Sequence, residues 1–209
     1  MIAKVIAPRQ IDFAPSRTNP PTTLSTDSTF SEWSQRLRAS DRTAFQALFK
    51  ATYPALCRYA TGFTGDATVA QDLVQDAFLR IWNRRATLDP ARSLQALLYV
   101  TVRNLALNHE RTTAKRQTLL TTMDAPAPSP EPDAAVAADL LRERLQGWIR
   151  EMPARRREAF QLSRFDGLSY EEIAGVMGLS VRTVEQHIRL ALQHLRGRLR
   201  EQEPELLRP

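Results

Sequence analysis

The chain has little of several residue types, and each shortage disfavours or excludes a class of protein. A single cysteine, Cys57, among 209 residues excludes an intrachain disulfide and a cysteine-based zinc site. Glycine is scarce, at seven residues, and runs rich in β-branched and aromatic residues are hard to find, which disfavours a β-sheet. No stretch approaches the roughly 18 apolar residues of a membrane span. The sequence therefore predicts an all-α protein without direct membrane insertion.

Lysine is also rare. Only three of the 29 basic residues are lysine, and the rest are arginine. The net charge is +6, which suits a polyanionic partner since basic side chains release counterions when they contact phosphates. A high arginine content also follows from a GC-rich genome, so the charge alone does not select nucleic acid. The positions of the charged residues along the chain must therefore indicate whether the partner is a nucleic acid.

Prolines divide the chain. Residues 1–29 contain four prolines and no helical period, which predicts a disordered tail that lacks the apolar core of a secretory signal; we therefore expect a cytoplasmic protein. Residues 124–133 contain four alternating prolines, which predict an extended linker. The expected organisation is a tail (1–29), a helical domain (30–118), a flexible Pro-rich linker (119–139), a second helical domain (140–200) and a C-terminal tail (201–209).

Helical periods fill the first module. Phe30, Trp33 and Leu37 share one helix face, and Asp41 is placed to cap the next helix. The third helix is predicted to bury a stripe of residues spaced by four, and the fourth, over about 93–111, to point five residues inward. The first set is Val69, Leu73, Ala77 and Ile81, widened by Phe78 and Trp82, and the second is Leu94, Leu97, Leu98, Val102 and Leu105.

The second module contains a predicted helix-turn-helix between Ser169 and Arg196. Ser169 precedes Glu172 by three residues, which is the spacing of a capping box. Gly178 stands where the chain must turn with a positive φ, and Ser180 is placed to cap the second helix. A helical hairpin with a solvated polar face is the plainer interpretation. It does not explain why the caps, the small Ala174 and the turn glycine all occur in register.

The second helix of this motif has an outer polar face, from which we predict DNA contacts. Arginine can form paired hydrogen bonds with guanine, glutamine with adenine, and glutamate can accept from cytosine in the major groove. The predicted DNA-binding residues are Ser180, Arg182, Thr183, Glu185, Gln186 and Arg189.

Three runs together resemble a known family. They are residues 71–82 (QDLVQDAFLRIW), residues 97–106 (LLYVTVRNLA) and residues 153–173 (from PARRREAF to GLSYEEI). Joined across a variable linker, they resemble the bacterial RNA polymerase sigma factors of the extracytoplasmic-function (ECF) group over about 30–200. The resemblance implies that the protein binds core RNA polymerase, through the β′ clamp helices and the β flap, and directs transcription initiation by reading the −35 and −10 promoter elements.

The resemblance also implies roles for residues of the first module. Asp72, Gln75 and Asp76 would contact the β′ clamp helices; their positions off the predicted apolar stripe agree, although a solvated acidic face would look the same. The loop 84–93 would hold a flipped non-template base. Contacts to the opened −10 strand would come from Arg84, Arg85, Arg92, Tyr99, Arg103, Asn104 and Asn108.

Two positions depart from the family pattern. Leu97 stands where tryptophan is usual, and we expect this change to repack the core. Asn108 stands where aspartate is frequent, and this change is expected to alter a DNA contact. Residues 184–196 resemble the iron-starvation (FecI-like) branch, which implies a membrane anti-sigma regulator and control of metal-uptake genes. The three arginines at 155–157 are expected to contact phosphate or the polymerase flap.

Other functions remain as alternatives. An autonomous helix-turn-helix regulator that binds DNA without polymerase is the main one, and the acidic helix at 71–82 argues against it. An enzyme is disfavoured, because the sequence contains no phosphate-binding glycine loop and no nucleophile beside a base. His187 and His194 lie seven residues apart with no third ligand in view, so neither a metal site nor any cofactor is expected.

Overall fold

The computed structural model describes residues 24–117 and 136–202, and every regular element within them is a helix. These residues belong to two compact units, which meet in the sequence between Ser129 and Pro130. The first unit contains α1 (Leu24–Arg38), α2 (Arg42–Thr64), α3 (Ala67–Asn83), a 3₁₀ turn (Arg85–Thr87) and α4 (Leu94–Gln117). The second contains α5 (Val136–Arg150), α6 (Ala154–Arg164), α7 (Tyr170–Met177) and α8 (Val181–Gln202). The prediction of an all-α fold with two helical modules is confirmed.

The helices extend beyond their predicted limits. Helix α1 begins at Leu24, inside the predicted tail, and α5 begins at Val136, inside the predicted linker. Helix α4 continues to Gln117 instead of ending near residue 111. The remainder of the predicted tail and linker, and residues 203–209, lie outside the described residues.

Aspartate caps begin two helices of the first unit. The Asp41 carboxylate accepts hydrogen bonds from the backbone N–H of Thr43 at 2.8 Å and of Ala44 at 3.3 Å, as predicted for an N-cap. The Thr43 hydroxyl and the Arg36 guanidinium also donate to it, and these bonds hold the pKa of Asp41 well below its usual range. Asp66 caps α3 in the same way. Both helix starts are therefore stabilised by local sequence.

An aromatic seam joins α2 to α3. The ring of Phe78 lies 6.0 Å from that of Phe45 and 4.8 Å from that of Phe49, and Trp82 lies 5.0 Å from Phe45. Such tilted and edge-on pairs add to the burial of apolar area. The seam therefore fixes the rotation of α3 about its own axis.

This rotation differs from the predicted stripe. The buried residues of α3 are Ala70, Val74, Ala77, Phe78 and Ile81. Val69 and Leu73, which were predicted to face inward, are half-buried at the edge. The buried face is turned by about one residue because the large Phe78 ring, and not the aliphatic residues, determines the closest approach.

The prediction that Leu97 faces inward is wrong. Leu98 and Val102 are fully buried, whereas Leu97 is 39% exposed. Leu97 precedes Leu98 by one residue and so lies about 100° around the helix, outside the buried stripe of α4. The departure from the family's tryptophan at this position therefore changes the surface and not the core.

Helix α8 is the axis of the second unit, since α5, α6 and α7 all pack against it. Leu145 and Trp148 of α5 form an apolar cluster with Leu199, near the C-terminal end of α8. At the rim of this cluster the Arg198 Nε donates to Glu151 at 2.9 Å. One face of α8 is thereby buried along its length.

Candidate nucleic-acid and protein-partner interfaces

The helix-turn-helix has the predicted local geometry. The Ser169 hydroxyl accepts from the Glu172 N–H at 3.2 Å, and the Glu172 carboxylate accepts from the Ser169 N–H at 2.7 Å, which completes the capping box. Gly178 adopts φ 65°, where a side chain would be strained. Its N–H and that of Leu179 both donate to the Ala174 carbonyl, which closes the turn before α8.

Ser180 begins α8. Its hydroxyl oxygen accepts from the Thr183 N–H at 3.1 Å and lies 2.7 Å from the Thr183 hydroxyl. Val184 and Ile188 are buried, as predicted for the inner face. Both Ser180 and Thr183 therefore have partners in the cap, and their hydroxyl groups are less available for reading bases than the sequence suggested.

The other four predicted contacts form an outer face on α8. Their spacing of i, i+3, i+4 and i+7 places them on one side of the helix, and all four are exposed. None of their side chains makes a hydrogen bond or ion pair with a described residue. They are Arg182, Glu185, Gln186 and Arg189. This face offers two forked cations, one amide and one carboxylate to a partner.

The arginines of α6 differ in their surroundings. Arg157 donates from a terminal nitrogen to the Arg150 carbonyl at 2.8 Å, and so links α6 to the end of α5. The Nε of Arg156 is buried without a partner, whereas Arg155 is exposed. Burial, with Arg156 and Arg155 nearby, lowers the pKa of His187 and so favours its neutral form. Of the three arginines, Arg155 is the best placed for a partner.

The outer face of α3 contains the three predicted polar residues. Asp72, Gln75 and Asp76 are all exposed, so the rotation of the buried stripe leaves them facing outward. Asp72 and Asp76 make no hydrogen bond or ion pair within the described chain. Gln75 is hydrogen-bonded to the phenol of Tyr53 on α2, whose pKa is raised by burial. The glutamine side chain is therefore held in position.

Sequence reasoning missed Leu79 on this face. It lies seven residues after Asp72 and three after Asp76, and it is 58% exposed. The available signal was its place on the polar stripe, outside the apolar one. A large apolar side chain surrounded by acidic and amide groups has the composition of a protein interface with an apolar centre and a polar rim.

Four of the residues predicted to contact the −10 strand are exposed. Arg84 and Arg92 belong to the loop 84–93, and Arg92 lies 3.6 Å from Asp89 in an exposed ion pair. Asn104 and Asn108 lie one turn apart on the outer side of α4, in register with Leu97. Both departures from the family pattern, Leu97 and Asn108, thus occur on the same exposed face.

Tyr99 and Arg103 are corrected from DNA contacts to core positions. Tyr99 is 2% exposed, and its ring lies 5.1 Å from that of Tyr59 on α2. Arg103 follows one turn later on the same side of α4 and is 7% exposed. Their spacing by four places both on the inner side, which the family pattern by itself did not reveal. A buried ring cannot stack on an unpaired base.

Arg85 is half-buried, unlike Arg84 beside it. Its Nε donates to the Ser40 hydroxyl at 2.8 Å, and a terminal nitrogen donates to the Trp82 carbonyl at 2.8 Å. The guanidinium carbon also lies 4.5 Å from the centroid of the Trp82 ring. The side chain is therefore bound within the unit, and the prediction that it contacts DNA is not supported by this geometry.

Two further observations concern metals and membranes. Within residues 24–117 and 136–202, no group of three or more His, Cys, Asp and Glu side chains is arranged to hold a metal ion. Among the helices that the structure describes, none has the length and apolarity needed to span a bilayer.

Family models match both units. The model described as Sigma-70 region 2 matches residues 48–116, and the model described as Sigma-70, region 4 matches residues 142–195. The first match includes α3 and α4, and the second includes the helix-turn-helix.

Curated relatives match across both units. The chain is 30% identical over 164 residues to the ECF RNA polymerase sigma factor SigL of Mycobacterium tuberculosis, a match that covers 78% of this chain and 93% of SigL. It is 28% identical over 165 residues to the ferric citrate uptake sigma factor FecI of Escherichia coli, covering 77% and 94%.

Two solved structures share the fold. One is CnrH in complex with the cytosolic domain of CnrY, with a TM-score of 0.59 and 24% identity over 84% of this chain and 99% of that one. The other is the sigma factor RpoE in complex with the anti-sigma factor NepR from Bartonella quintana, with a TM-score of 0.62 and 23% identity over 76% and 98%.

The reassignment of Tyr99 can be tested by its stability effect. We expect Tyr99→Ala to lower the free energy of unfolding by about 3 kcal/mol, because it removes a buried ring from the contact between α2 and α4. The matched change on the outer side of α4, Asn104→Ala, should stay within about 0.5 kcal/mol of wild type. Urea unfolding measures both, and equal small effects would return Tyr99 to the surface.

Proposed function

The chain belongs to the ECF RNA polymerase sigma factors, and from that membership we propose which surfaces of its two units perform promoter-specific initiation. As a sigma factor it binds core RNA polymerase and directs transcription from specific promoters. Matches on both sides of the linker favour this function over an autonomous regulator, which would need only the helix-turn-helix. The protein itself makes and breaks no bond in this scheme, since the polymerase supplies the chemistry.

The outer face of α3 is proposed to dock on the β′ clamp helices. The observation that carries this proposal is the exposure of Asp72, Gln75 and Asp76 on one stripe, with both carboxylates free of internal partners. Unpaired charges on a rigid helix suit a basic or amide-rich partner surface. The hydrogen bond from α2 orients Gln75 before binding, which lowers the entropy lost on docking.

Leu79 is proposed as the apolar centre of this docking face. It is the position on the stripe where burial by a partner would remove the most apolar area from water. The surrounding acidic side chains would then provide orientation and selectivity, as polar rims do in other interfaces.

The outer face of α8 is proposed to read the −35 element as duplex DNA. Arg182, Glu185, Gln186 and Arg189 are exposed, and their side chains have no partner among the described residues, so their donors and acceptors are available to base edges and phosphates. Ser180 and Thr183 are proposed to hold the start of the helix, with any DNA contact limited to a nearby phosphate.

The −10 strand is proposed to lie along the loop 84–93 and the outer side of α4. Arg84 and Arg92 supply positive charge in the loop, and Asn104 and Asn108 supply hydrogen-bonding groups on the helix. Single-stranded DNA is held by such basic grooves together with base contacts. Asn108 in place of an acid removes a negative charge from this path.

A second polymerase contact is proposed in the turn after α6. Phe165 is 48% exposed there, and its ring meets that of Phe160 edge-on at 6.1 Å. An exposed aromatic side chain supported by a buried one is a common anchor of protein interfaces. We assign this anchor, with Arg155, to the β flap.

An anti-sigma regulator of the iron-starvation branch is proposed as the controlling partner. Both solved neighbours are complexes, of RpoE with the anti-sigma factor NepR and of CnrH with the cytosolic domain of CnrY. The relative FecI is a ferric citrate uptake sigma factor. Support for the branch comes from that relative and from the pattern of residues 184–196.

If the outer face of α3 docks on core polymerase, substitutions on this face should lower the affinity for core polymerase. Asp72→Ala with Gln75→Ala should raise the dissociation constant about tenfold, because two oriented polar contacts are removed at a helical interface. Fluorescence anisotropy with labelled sigma factor measures this change.

The chain offers a matched control for this experiment. Glu143→Ala with Gln146→Ala removes one exposed acid and one exposed glutamine at the same spacing on α5. We expect this variant to bind core polymerase like wild type. Equal affinity of both double variants would remove α3 from the interface.

The recognition face predicts a loss of promoter discrimination. Arg182→Ala and Arg189→Ala should each weaken binding of a −35 duplex by about 1–3 kcal/mol, roughly 5- to 150-fold, if each forms a paired contact to guanine. Arg200→Ala, an exposed arginine farther along α8, is the control and should change little. In vitro transcription from wild-type and −35-substituted promoters measures the effect, and three identical profiles would contradict the assignment.

The branch assignment predicts the genes controlled. Start sites that depend on this sigma factor should lie upstream of metal-uptake genes and should increase when the host is starved of iron. Mapping of transcript 5′ ends in strains with and without the factor provides the measurement. Dependent start sites confined to other gene classes would contradict the branch assignment and leave the family assignment intact.

A further inference from the structure

The loop 84–93 is tied at two points to the N-terminal helix and the turn that follows it. The Ser31 hydroxyl on α1 donates to the Pro90 carbonyl at 3.3 Å. The Arg85 Nε donates to the hydroxyl of Ser40, just after α1, at 2.8 Å. Both serines precede residue 48, where the match to the family model begins. These contacts therefore involve a part of the chain to which no role has been assigned.

Arg85 anchors the start of the loop. Its guanidinium is held from three directions, by the Ser40 hydroxyl, by the Trp82 carbonyl at 2.8 Å and by the face of the Trp82 ring, 4.5 Å from its centroid. A planar, delocalised cation suits this combination of stacking and directed hydrogen bonds. The 3₁₀ turn that begins at Arg85 is thereby fixed to the end of α3.

Ser40 is itself held in a defined place. It has φ 60°, a left-handed conformation that is uncommon for serine, and its N–H donates to the Leu37 carbonyl at 2.8 Å. The next residue, Asp41, accepts from Arg36 at 2.8 Å and caps α2. The hydroxyl that meets Arg85 therefore projects from a turn that is bound on both sides.

We propose that α1 and its following turn brace the loop 84–93 in the shape that receives a base of the opened −10 strand. Ser40 and Arg85 are the main positioning residues, and Ser31 supports the far end of the loop. None of the three is required to touch DNA. The inference rests on the proposed role of this loop in −10 recognition.

The experiment measures binding of a single-stranded −10 oligonucleotide to reconstituted holoenzyme at several salt concentrations. The variants are Ser40→Gly, Arg85→Gln and the two combined. Glycine suits the positive φ at position 40, so this change removes the hydroxyl without straining the turn. Thermal unfolding and affinity for core polymerase are measured in parallel.

We expect Ser40→Gly to weaken oligonucleotide binding about tenfold, as for loss of one hydrogen bond to a charged group. Arg85→Gln should weaken it at least as much, because it also removes the two contacts with Trp82. The double variant should bind the oligonucleotide as tightly as the weaker-binding of the two single variants, because both changes remove the contact between Ser40 and Arg85. The salt dependence should stay that of wild type, since no phosphate contact is lost. Core binding and −35 duplex binding should be unchanged.

Arg84→Gln is the contrasting variant, because Arg84 is exposed next to Arg85 and its side chain has no partner within residues 24–117 and 136–202. It should weaken binding and also reduce the salt slope by about 0.7, as for one lost phosphate contact on a single strand. If Arg85→Gln gives this same reduced slope while Ser40→Gly has no effect, Arg85 contacts DNA and the brace is overturned. If Arg84→Gln, Arg85→Gln and Ser40→Gly all bind like wild type, the brace and the −10 role of the loop both fail.

Discussion

The aromatic seam between α2 and α3 is the contact that decides which face of α3 is exposed. Once Phe45, Phe49 and Phe78 interlock, α3 can have only one rotation about its axis. That rotation leaves Asp72 and Asp76 in solvent without internal partners. The proposed polymerase-facing surface is thus a consequence of core packing. A change of ring size at residue 78 would turn this exposed stripe even though none of its own residues had changed.

Helix α8 obeys the same constraint in the second unit. Three helices pack against its inner side, so a polar outer side is the face that remains for a partner. The capping box at Ser169 and the left-handed Gly178 set the angle at which α7 enters that packing. In the proposed scheme, reading of DNA and folding therefore use opposite sides of one helix. Exposed residues such as Arg182 and Arg189 can then be changed at little cost in stability.

Local chemistry explains which features could be predicted from sequence. The caps at Asp41 and Ser169 involve residues two to five positions apart, and both were predicted. Tyr99 was predicted to face the DNA and Leu97 to face the core, but Tyr99 is buried and Leu97 is exposed. The family pattern names residue types and does not give the rotation of α4. That rotation depends on Tyr59, forty residues earlier, whose ring packs on Tyr99. One partner of Arg85, Ser40, lies 45 residues earlier, so an arginine in a basic loop looked like a DNA contact.

The brace on the loop 84–93 follows from what capture of a flipped base requires. A loop that is ordered only on binding must lose conformational entropy at that moment, whereas a loop that is fixed beforehand has lost it during folding. Arg85 and Ser40 make the second situation possible without placing any extra group against the DNA. Because α1 lies before the segment that matches the family model, its serines can change independently of the residues that face the strand. Promoter opening can therefore be tuned from a helix that touches neither polymerase nor promoter in this scheme.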